Sequence, residues 1–397
     1  MDFIVDANKT LSYEELLEYA NSGGEILREI CDADIAEFSK KFFAAVAANC
    51  DVELSGFTIS EAKISPAKQR VEKRRFGTVD DLLKAVTASA SKISIRTSGT
   101  TGRPKTVSHT IETLTRNVKA GEKHAKDVWG FCYAPAHMAG LQVLLQAALN
   151  KNKCVNLFGK TRAQIYAEIE KNSVTHISAT PTFYRLLLPA ERTFGNVIRA
   201  TFGGEKSYPS LYAAAAKIFP NAKITNIYAS TEAGALLASC GDVFKVPEKI
   251  KDFVKIENNE LFIHKSLLPD SDGLPLAGDF YATGDLVEFE DAQKTSFKFT
   301  GRKGDYINVG GYKVNPEKVE EALKSIDGVS DAIVYGKKNS VLGNILCAEI
   351  KLLPSPGLAE PDIRARLSRN LSQFEIPRII KFVDSLQLTE TGKIKRL

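Results

Sequence analysis

The sequence predicts an α/β fold in two parts of unequal size, and three observations lead to that prediction. The chain has 397 residues, which is long for one ordinary domain and favours two. From residue 93 to about residue 285, short apolar runs alternate with helical stretches, as in buried strands crossed by helices. A charged, turn-rich stretch over 288–305 then precedes a shorter tail. We therefore expect a large α/β domain over residues 1–303 and a small α+β domain over residues 304–397.

The first 85 residues look helical in patches. A hydroxyl residue, Thr10 or Ser12, precedes an acidic and apolar run over 13–16 and is expected to cap a helix. Residues 63–75 are rich in charge and are expected to be exposed.

Four short runs in the body are expected to be strands, because they alternate apolar and polar residues or are apolar and bounded by polar sequence. They are Ile93–Arg96, Cys154–Phe158, Thr175–Ala179 and Lys223–Tyr228. The alanine run 213–216 is expected to lie in a helix between them.

The tail reads as strand–helix–strand–strand–helix. Its helices are expected over 316–326 and 360–371, and two of its strands over 332–335 and 346–350. No internal repeat or low-complexity tract interrupts this order.

Composition excludes several function classes. Hydrophobic residues make up 44% of the chain and charged residues 25%, which is typical of a soluble globular protein. The net charge of +5 comes from scattered basic residues, so we expect no nucleic-acid partner. The start of the chain carries two early acids and no long apolar core, which argues against a signal peptide. The most apolar stretch, 141–149, contains two glutamines and is far short of a membrane span.

Cysteine usage points to a reducing compartment. The six cysteines are widely separated and form no Cys-x-x-Cys pair, so neither structural zinc nor a disulfide scaffold is expected. A cytoplasmic location fits this pattern best.

The most informative segment is residues 97–105, in which hydroxyl side chains, glycines and a lysine make a loop suited to phosphate. Glycines permit positive φ and close backbone approach, hydroxyls and N–H groups donate to anionic oxygens, and lysine adds a mobile charge. It is not a Walker A loop, because Pro104 precedes Lys105 and no glycine stands beside the lysine. The alternative is a polar surface turn. The candidate phosphate ligands are Thr97, Ser98, Gly99, Thr100, Thr101, Gly102 and Lys105.

The order Ser-Gly-Thr-Thr-Gly-Arg-Pro-Lys over 98–105 resembles the signature of the adenylate-forming enzymes, which include acyl-CoA synthetases, peptide-synthetase adenylation domains and luciferases. The resemblance implies an ATP-binding α/β body followed by a mobile C-terminal domain. It extends from residue 93 to the C-terminus and covers the first 90 residues poorly. We therefore expect a trimmed version of the family's five-layered body.

Two downstream elements resemble the family's carboxylate pocket. Pro135–Gly140 reads Pro-x-His-x-x-Gly and resembles a Pro-x-x-His-x-x-Gly element of the family, with one residue fewer between proline and histidine, so the resemblance implies that His137 lines the pocket. A lone histidine beside glycine is more often a satisfied structural residue, and that alternative stays open. Amino-acid-activating relatives place an aspartate here to hold the substrate ammonium, and this segment has none. Residues 180–187 resemble the pocket wall, although Phe183 and Tyr184 could equally belong to the core.

A second group of residues is suited to the nucleotide. Gly203-Gly204-Glu205 would let the backbone lie flat against an adenine ring, and Tyr228 offers an aromatic face for its other side. Asn226 could pair with the adenine amino group. Thr231 can donate to a phosphate oxygen, and Glu232 can supply the single hard carboxylate that Mg²⁺ prefers when phosphates fill its other positions. Taken alone, this Tyr-x-x-Thr-Glu string would be read as a helix cap.

The last matches lie towards the C-terminus. Asp285 follows a glycine in what reads as a tight turn and could accept both ribose hydroxyls, as the matching family aspartate does. Arg302 is suited to ribose and phosphate, Lys313 lies in the element that opens the family's C-terminal domain, and Lys393 matches its catalytic lysine. The resemblance thus implies catalytic roles for Lys393, Thr231, Glu232 and His137, with Glu232 as metal ligand. Gly304, beside Arg302, is expected to be the hinge.

The reaction that the resemblance implies has two half-reactions. A small carboxylic acid attacks the α-phosphate of Mg-ATP to give an acyl-adenylate and pyrophosphate, and a thiol then displaces AMP. The pocket elements are most similar to those of acyl- and aryl-CoA ligases, including the small o-succinylbenzoate-CoA ligases, so CoA is the expected acceptor. A carrier-protein thiol or an amine is the alternative acceptor. A catalytically inactive nucleotide- or acyl-binding protein is a further alternative.

Overall fold

A computed structural model describes residues 1–7, 9–55, 68–71, 74–97, 105–269, 274, 276–339, 343–353 and 357–387. Within these ranges, the side chains of residues 25–27, 68–71, 97 and 105 are not described.

The described part of the first third of the chain contains eight strands and four helices. In chain order they are β1 (Asp2–Asp6), β2 (Lys9–Ser12), α1 (Tyr13–Ser22), β3 (Gly24–Leu27), β4 (Glu29–Ile30), α2 (Ile35–Ala47), β5 (Val52–Leu54), β6 (Lys68–Val71), α3 (Val79–Thr87), β7 (Ile93–Thr97), β8 (Lys105–His109) and α4 (Ile111–Thr115). Ser12 caps α1 in a capping box with Glu15, as the sequence predicts.

The next segment alternates strands and helices. It consists of β9 (Val128–Phe131), α5 (Met138–Leu149), β10 (Lys153–Asn156), α6 (Arg162–Lys171), β11 (His176–Ala179), α7 (Pro181–Leu186), β12 (Arg199–Gly203), α8 (Pro209–Ile218) and β13 (Lys223–Ser230). The predicted strands at 154, 175 and 223 and the predicted alanine helix are all present.

The rest of the body is mostly strand, and the tail is mixed. The body continues with β14 (Gly234–Ser239), β15 (Val243–Phe244), β16 (Val254–Glu257), β17 (Glu260–His264), β18 (Leu276–Ala277), β19 (Phe280–Phe289) and β20 (Phe297–Arg302). The tail has β21 (Ile307–Val309), β22 (Tyr312–Val314), α9 (Pro316–Lys324), β23 (Val329–Asn339), β24 (Gly343–Leu352), α10 (Glu360–Leu367) and β25 (Ile379–Phe382).

An eight-stranded sheet forms the centre of the body, in the order β14-β13-β12-β11-β9-β10-β1-β2. The six strands from β13 to β1 are parallel, and the two edge strands are antiparallel to their neighbours. Consecutive residues of β10 enter different hydrophobic cores, because Cys154 packs with α1, α2 and α5 while Val155 packs with α6, α7 and α8. Both faces of the sheet are therefore covered by helices, as expected of buried parallel strands.

Two smaller body sheets carry parts of the predicted site. A four-stranded sheet in the order β4-β5-β7-β8 ends in the antiparallel β7–β8 hairpin, where Thr97 pairs with Lys105 and closes the predicted phosphate loop. A six-stranded sheet contains the order β15-β20-β19-β17-β16, with β18 pairing β19. In it, Asp285 lies directly opposite Arg302 on the neighbouring strand.

The tail has a sheet and a core of its own. β22, β21, β24, β23 and β25 form a five-stranded sheet. Its core, which includes Val314, Leu323, Ile350 and Ile363, contains residues only from 309–380. The predicted boundary between residues 303 and 304 falls between β20 and β21, and the division into independent domains remains a prediction.

Two predictions about elements are wrong in detail. The stretch 288–305 is not merely a turn-rich separator, because β20 lies inside it with Phe297 buried and the rest of the strand half-buried. The second tail helix ends at Leu367 rather than 371. The described residues of the first 85 contain strands besides the helices that the sequence predicts. Among the described helices, none is long and apolar enough to cross a membrane.

Candidate functional site

Four of the sequence motifs lie at one edge of the central sheet. β9, β11, β12 and β13 are parallel neighbours or near neighbours, and each is followed at its carboxyl end by a motif. These motifs are Pro135–Gly140, Thr180–Thr182, Gly203–Glu205 and Thr231–Glu232. Because ligands of open α/β sheets bind outside the carboxyl ends of the strands, this edge is the candidate active site.

The strand order reverses beside β9, and in open α/β sheets the ligand crevice lies outside the carboxyl ends of the strands at such a reversal. β9 leads through α5 to β10 on one side, whereas β11 pairs with β9 on the other side. The hydroxyl of Tyr133, which follows β9, lies 3.3 Å from the hydroxyl of Ser178 in β11. Such a switch point is the usual ligand position in this class of fold.

His137 lies at this crevice, where it is the N-cap residue of α5 and half-buried. Its ring lies roughly parallel to that of Tyr133, with centroids 6.2 Å apart. A β-carbon on Gly140 would come within 2.5 Å of the Ala134 carbonyl oxygen, so glycine is needed for this turn to pack. The structure thus explains the proline-to-glycine spacing, while a catalytic role for His137 remains a prediction.

The Thr231–Glu232 motif lies in the turn between β13 and β14, not at a helix start. Gly234 has φ +65°, and a β-carbon there would approach the side chains of Gln142 and Met138 to 3.2 Å. The turn therefore packs against the beginning of α5, next to His137. Thr231 and Glu232 are both half-buried.

Glu232 fits the predicted magnesium role in donor type. Among the described residues, no group of three or more His, Cys, Asp or Glu side chains is arranged to hold a metal. A lone hard carboxylate is what Mg²⁺ needs when substrate phosphates supply its other oxygens. Burial, and to a lesser degree the Glu232 carboxylate, raises the pKa of Tyr281 to about 12, which places Glu232 beside β19.

Tyr228, Asp285 and Arg302 form a connected cluster. The Tyr228 hydroxyl donates to Asp285 Oδ2 at 2.6 Å, and Arg302 Nε lies 3.2 Å from Asp285 Oδ1. Burial raises the pKa of the Asp285 carboxyl, while the Arg302 guanidinium and the Tyr228 hydroxyl act in the opposite direction. The structure brings together three residues that the sequence predicts for ribose and adenine.

The surroundings of this cluster refine two predictions. Phe299 stacks on one face of Tyr228 at a centroid distance of 4.3 Å, so a base could use only the other face. The predicted tight turn before Asp285 is instead a bulge within β19, where Gly284 has φ +76° and its N–H donates to Glu260 Oε1. This bulge turns the Asp285 carboxylate towards Tyr228.

Glu205, which the sequence predicts to contact nucleotide, forms hydrogen bonds to Thr182. Its Oε2 accepts from the backbone N–H and the hydroxyl of Thr182, at 3.0 and 2.7 Å. Its Oε1 is buried and has no hydrogen-bond partner among the described residues. Glu205 therefore ties the loop after β12 to the start of α7, and its direct contact with nucleotide remains a prediction.

The remaining adenine candidates are compatible with a flat ligand. Gly203 is buried at the end of β12, and Gly204 is exposed with φ +81°. Asn226 is buried and its Nδ2 donates to the Gly241 carbonyl at 3.0 Å. Its Oδ1 is the atom that an adenine amino group would need.

Several predicted site residues lie wholly or partly outside the part of the chain that the structure describes. Residues 98–104, with Ser98, Gly99, Thr100, Thr101 and Gly102, and the catalytic candidate Lys393 lie outside the described residues. Thr97 and Lys105 are described only as paired backbone at the base of the loop. Lys313 is exposed on β22.

Two residues that the sequence analysis did not single out belong to this site. His109, at the end of β8, places Nε2 2.8 Å from the Thr231 carbonyl oxygen. Arg185 on α7 donates through Nη2 to the Thr182 hydroxyl and through Nε to Asp331 of the tail, at 2.7 and 2.8 Å. Their partners are 122 and 146 residues away in sequence, so no local pattern could indicate them.

Family models match both parts of the chain. The model described as "AMP-binding enzyme" matches residues 59–256, and that described as "AMP-binding enzyme C-terminal domain" matches residues 318–393. Together the two matches cover more than half of the chain.

Curated relatives are also similar. The chain is 29% identical over 358 residues to 4-hydroxybutyrate–CoA ligase 1 of Metallosphaera sedula, covering 77% of this chain and 61% of that protein. It is 28% identical over 329 residues to a 2-succinylbenzoate–CoA ligase of Staphylococcus aureus, covering 76% of this chain and 65% of that protein. The chain thus spans a little less than two thirds of the length of these relatives.

A solved structure shares the fold. The crystal structure of ATP-bound MatB from Rhodopseudomonas palustris superimposes with a TM-score of 0.75 at 17% identity, covering 99% of this chain and 94% of that one. This match confirms the α/β architecture with a C-terminal domain. With motifs, fold and both family models in agreement, the chain belongs to the AMP-binding enzyme family, the adenylate-forming enzymes that its sequence resembles.

Proposed function

We propose that the protein activates a small carboxylic acid with ATP to an acyl-adenylate, releases pyrophosphate, and transfers the acyl group to the thiol of CoA. The observation that carries the proposal is the meeting of four motifs at the carboxyl edge of β9, β11, β12 and β13. The relatives named as CoA ligases support the same reaction class.

The nucleotide would lie across the ends of β12 and β13. Gly203 and Gly204 would take one face of adenine, Asn226 its amino group, and the free face of Tyr228 its other side. Asp285 would accept the ribose hydroxyls. It already accepts from Tyr228 and Arg302, so its carboxylate is held in place before the ribose arrives.

The first half-reaction moves phosphoryl charge. A carboxylate oxygen of the acid attacks the α-phosphorus, the bond to the bridging oxygen breaks, and pyrophosphate leaves with the electron pair. This step needs alignment and charge stabilisation more than a proton acceptor. Thr231, the loop over 97–105 and Lys393 would supply donors and positive charge. Glu232 would hold Mg²⁺, which neutralises phosphate charge when bound.

The acid would bind outside the carboxyl ends of β9 and β11, where the strand order reverses. Tyr133, Ser178 and the half-buried His137, which lie at this end of the two strands, would contact it. The segment 135–140 contains no carboxylate that could pair with a substrate ammonium. Burying an unpaired ammonium is costly, so we propose that the pocket takes acids without an α-amino group.

The second half-reaction forms the thioester. The thiol sulfur attacks the acyl carbonyl carbon, AMP leaves with its phosphate oxygen, and the thiol proton is lost to a base or to water. We propose that His137 receives that proton or moves aside. Residues 304–397 would rotate about Gly304 between the half-reactions, bringing Lys393 to the site for the first and the exposed β22 region with Lys313 for the second.

A carrier-protein thiol or an amine is the alternative acceptor. An inactive binding protein is a further alternative, and the presence of Lys105, Glu232, Asp285, Arg302 and Lys393 in the sequence argues against it. A cytoplasmic location is proposed from the six cysteines, all of which are free thiols.

Pyrophosphate release over a panel of carboxylic acids, with and without CoA, tests the proposal. The panel would include 4-hydroxybutyrate, 2-succinylbenzoate, other aliphatic and aryl acids, and free amino acids. We expect CoA-stimulated turnover with an acid that lacks an α-amino group, and acyl-CoA as product. Release that CoA does not stimulate favours another acceptor. Exchange with amino acids alone contradicts the proposed pocket, and no release with any acid favours the inactive alternative.

A further inference from the structure

The predicted phosphate site is built from two different sheets, and a buried imidazole joins them. The hairpin β7–β8, which carries the loop over 97–105, belongs to the four-stranded sheet. Thr231 and Glu232 follow β13 of the eight-stranded sheet. His109, the last residue of β8, is 2% exposed and places Nε2 2.8 Å from the Thr231 carbonyl oxygen.

The chemistry of this contact fixes the orientation of the ring. A carbonyl oxygen only accepts, so Nε2 of His109 carries the proton. Nδ1 lies 3.2 Å from the hydroxyl of Thr113, which can donate to it. Burial lowers the pKa of the imidazole, with the nearby Arg116 acting in the same direction and Glu232 in the opposite one. Both ring nitrogens of the neutral side chain therefore have partners.

We propose that His109 is a positioning residue for adenylation, which holds the Thr231–Glu232 turn at a fixed distance from the backbone of Lys105, where the predicted phosphate loop ends. The inference rests on the proposed function. Lys105 and His109 are the two ends of β8, about 13 Å apart at the usual rise of a strand. Because β8 is paired with β7 along its length, a bond at His109 fixes the backbone of Lys105 relative to the turn.

Neighbouring contacts add to the same junction. Asn117, just after α4, donates to the Ala235 carbonyl on β14 at 2.8 Å. It is an exposed bond, whereas that of His109 is buried and adjoins the predicted phosphate ligand. Removing His109 would leave the Thr231 carbonyl without its donor, and the turn would lose its fixed distance from the loop.

The test compares His109→Leu, His109→Gln and Ser108→Ala in the full chain. Glutamine keeps an N–H donor near the position of Nε2, and leucine does not. Ser108 makes a 3.0 Å hydroxyl contact with Ser94 inside the hairpin, so its alanine variant weakens the hairpin without touching the junction. ATP binding is measured by calorimetry, and KM values for ATP and for the acid are measured by pyrophosphate release. Thermal melting is recorded for each variant.

We expect His109→Leu to raise the Kd and KM for ATP about tenfold, the effect of losing one buried hydrogen bond, with the KM for the acid changing less than twofold. His109→Gln should recover most of the ATP affinity. Ser108→Ala should bind ATP like the wild type even if it melts earlier.

Equal loss of ATP affinity in Ser108→Ala and His109→Leu, or no rescue by glutamine, would overturn the inference. If His109→Leu does not fold, His109→Gln is compared with His109→Asn, whose shorter amide cannot reach the carbonyl. Equal ATP affinities of these two variants would overturn the inference. If the wild type binds ATP and releases pyrophosphate, and His109→Leu has the same Kd and KM for ATP, this inference alone is refuted. A wild type that does neither refutes the proposed function and the inference with it.

Discussion

The body and the tail of this chain hold their predicted site residues in different ways. In the body, Tyr228, Asp285 and Arg302 contact one another at 2.6 and 3.2 Å and are partly buried. In the tail, Lys313 is exposed on β22, and Lys393 lies outside the described residues. Contacts that join the two regions include the 2.8 Å bond from Arg185 to Asp331.

The difference suggests a division of labour. Residues of the body are fixed by strand register, because moving Asp285 from Arg302 would require breaking the pairing of β19 with β20. The tail keeps its own core and meets the body through side-chain bonds such as Arg185–Asp331. Breaking such side-chain bonds leaves the strand pairing within each region intact. We infer that the body is pre-organised for nucleotide, whereas the tail can be reoriented without unfolding.

The largest expected effect is that of Lys393→Ala. If the tail supplies one charge-stabilising donor only during adenylation, this variant should slow adenylate formation by about 10²–10³, the usual effect of removing such a donor. Thioester formation from a supplied acyl-adenylate should be nearly unchanged. Lys395→Ala, which removes another basic residue of the same segment, is the control. If Lys393→Ala slows thioester formation from supplied acyl-adenylate as much as it slows adenylate formation, the proposed restriction of Lys393 to adenylation is refuted.

Arg302→Gln tests the body. The Asp285 carboxyl would lose the guanidinium that opposes the effect of burial, so its pKa should rise further and its capacity to accept ribose hydroxyls as an anion should fall. We expect the KM for ATP to rise about tenfold. Lys298→Gln, on the same strand but in an exposed pair with Glu290, should leave that KM unchanged. Equal increases in the KM for ATP in the two variants would mean that net charge, and not the contact of Arg302 with Asp285, determines the effect.

Gly304→Pro tests the hinge. Proline fixes φ and restricts the preceding residue, so it should hinder a change of backbone angles at this position. We expect the thioester step to slow about tenfold more than adenylation, because only a complete turnover requires reorientation. Gly304→Ala is the control, since a β-carbon there meets no atom within 4 Å. Rapid-quench measurement of both steps decides, and equal loss in both would count against the hinge.

The smallest expected effect is that of Arg185→Gln, which weakens the joint between body and tail. The ion pair with Asp331 is mostly buried, with side chains 13% and 12% exposed. Lys324 also lies 3.4 Å from Asp331, so the carboxylate keeps one partner. Loss of the Arg185 contact should therefore lower the population of the described orientation by about two- to fivefold, measured by energy transfer between dyes on the two regions. Arg192→Gln breaks the exposed pair with Glu170 inside the body and should have no effect. An unchanged transfer efficiency in Arg185→Gln would show that other contacts hold the tail.

The sequence by itself determined the family, the α/β class and the main elements. The phosphate-loop signature and the ordered motifs after it are local strings of residues. The strands β10, β11 and β13 were visible because each is a short run that alternates apolar and polar residues or is apolar and bounded by polar sequence. The capping box of Ser12 and Glu15 was visible because a helix start depends on residues three positions apart. Information of this kind is contained within a few consecutive residues.

The tertiary structure alone decided how those residues meet. Strand order placed four motifs at one edge, and strand pairing placed Asp285 opposite Arg302. β20 was missed because Lys298 and Arg302 break up its apolar residues and the strand is only half-buried apart from Phe297. The bonds of Tyr228 to Asp285, and of His109 to Thr231, join residues 57 and 122 positions apart. No local periodicity encodes such pairs, because they form only when separate sheets and helices pack together and bury their polar groups against each other.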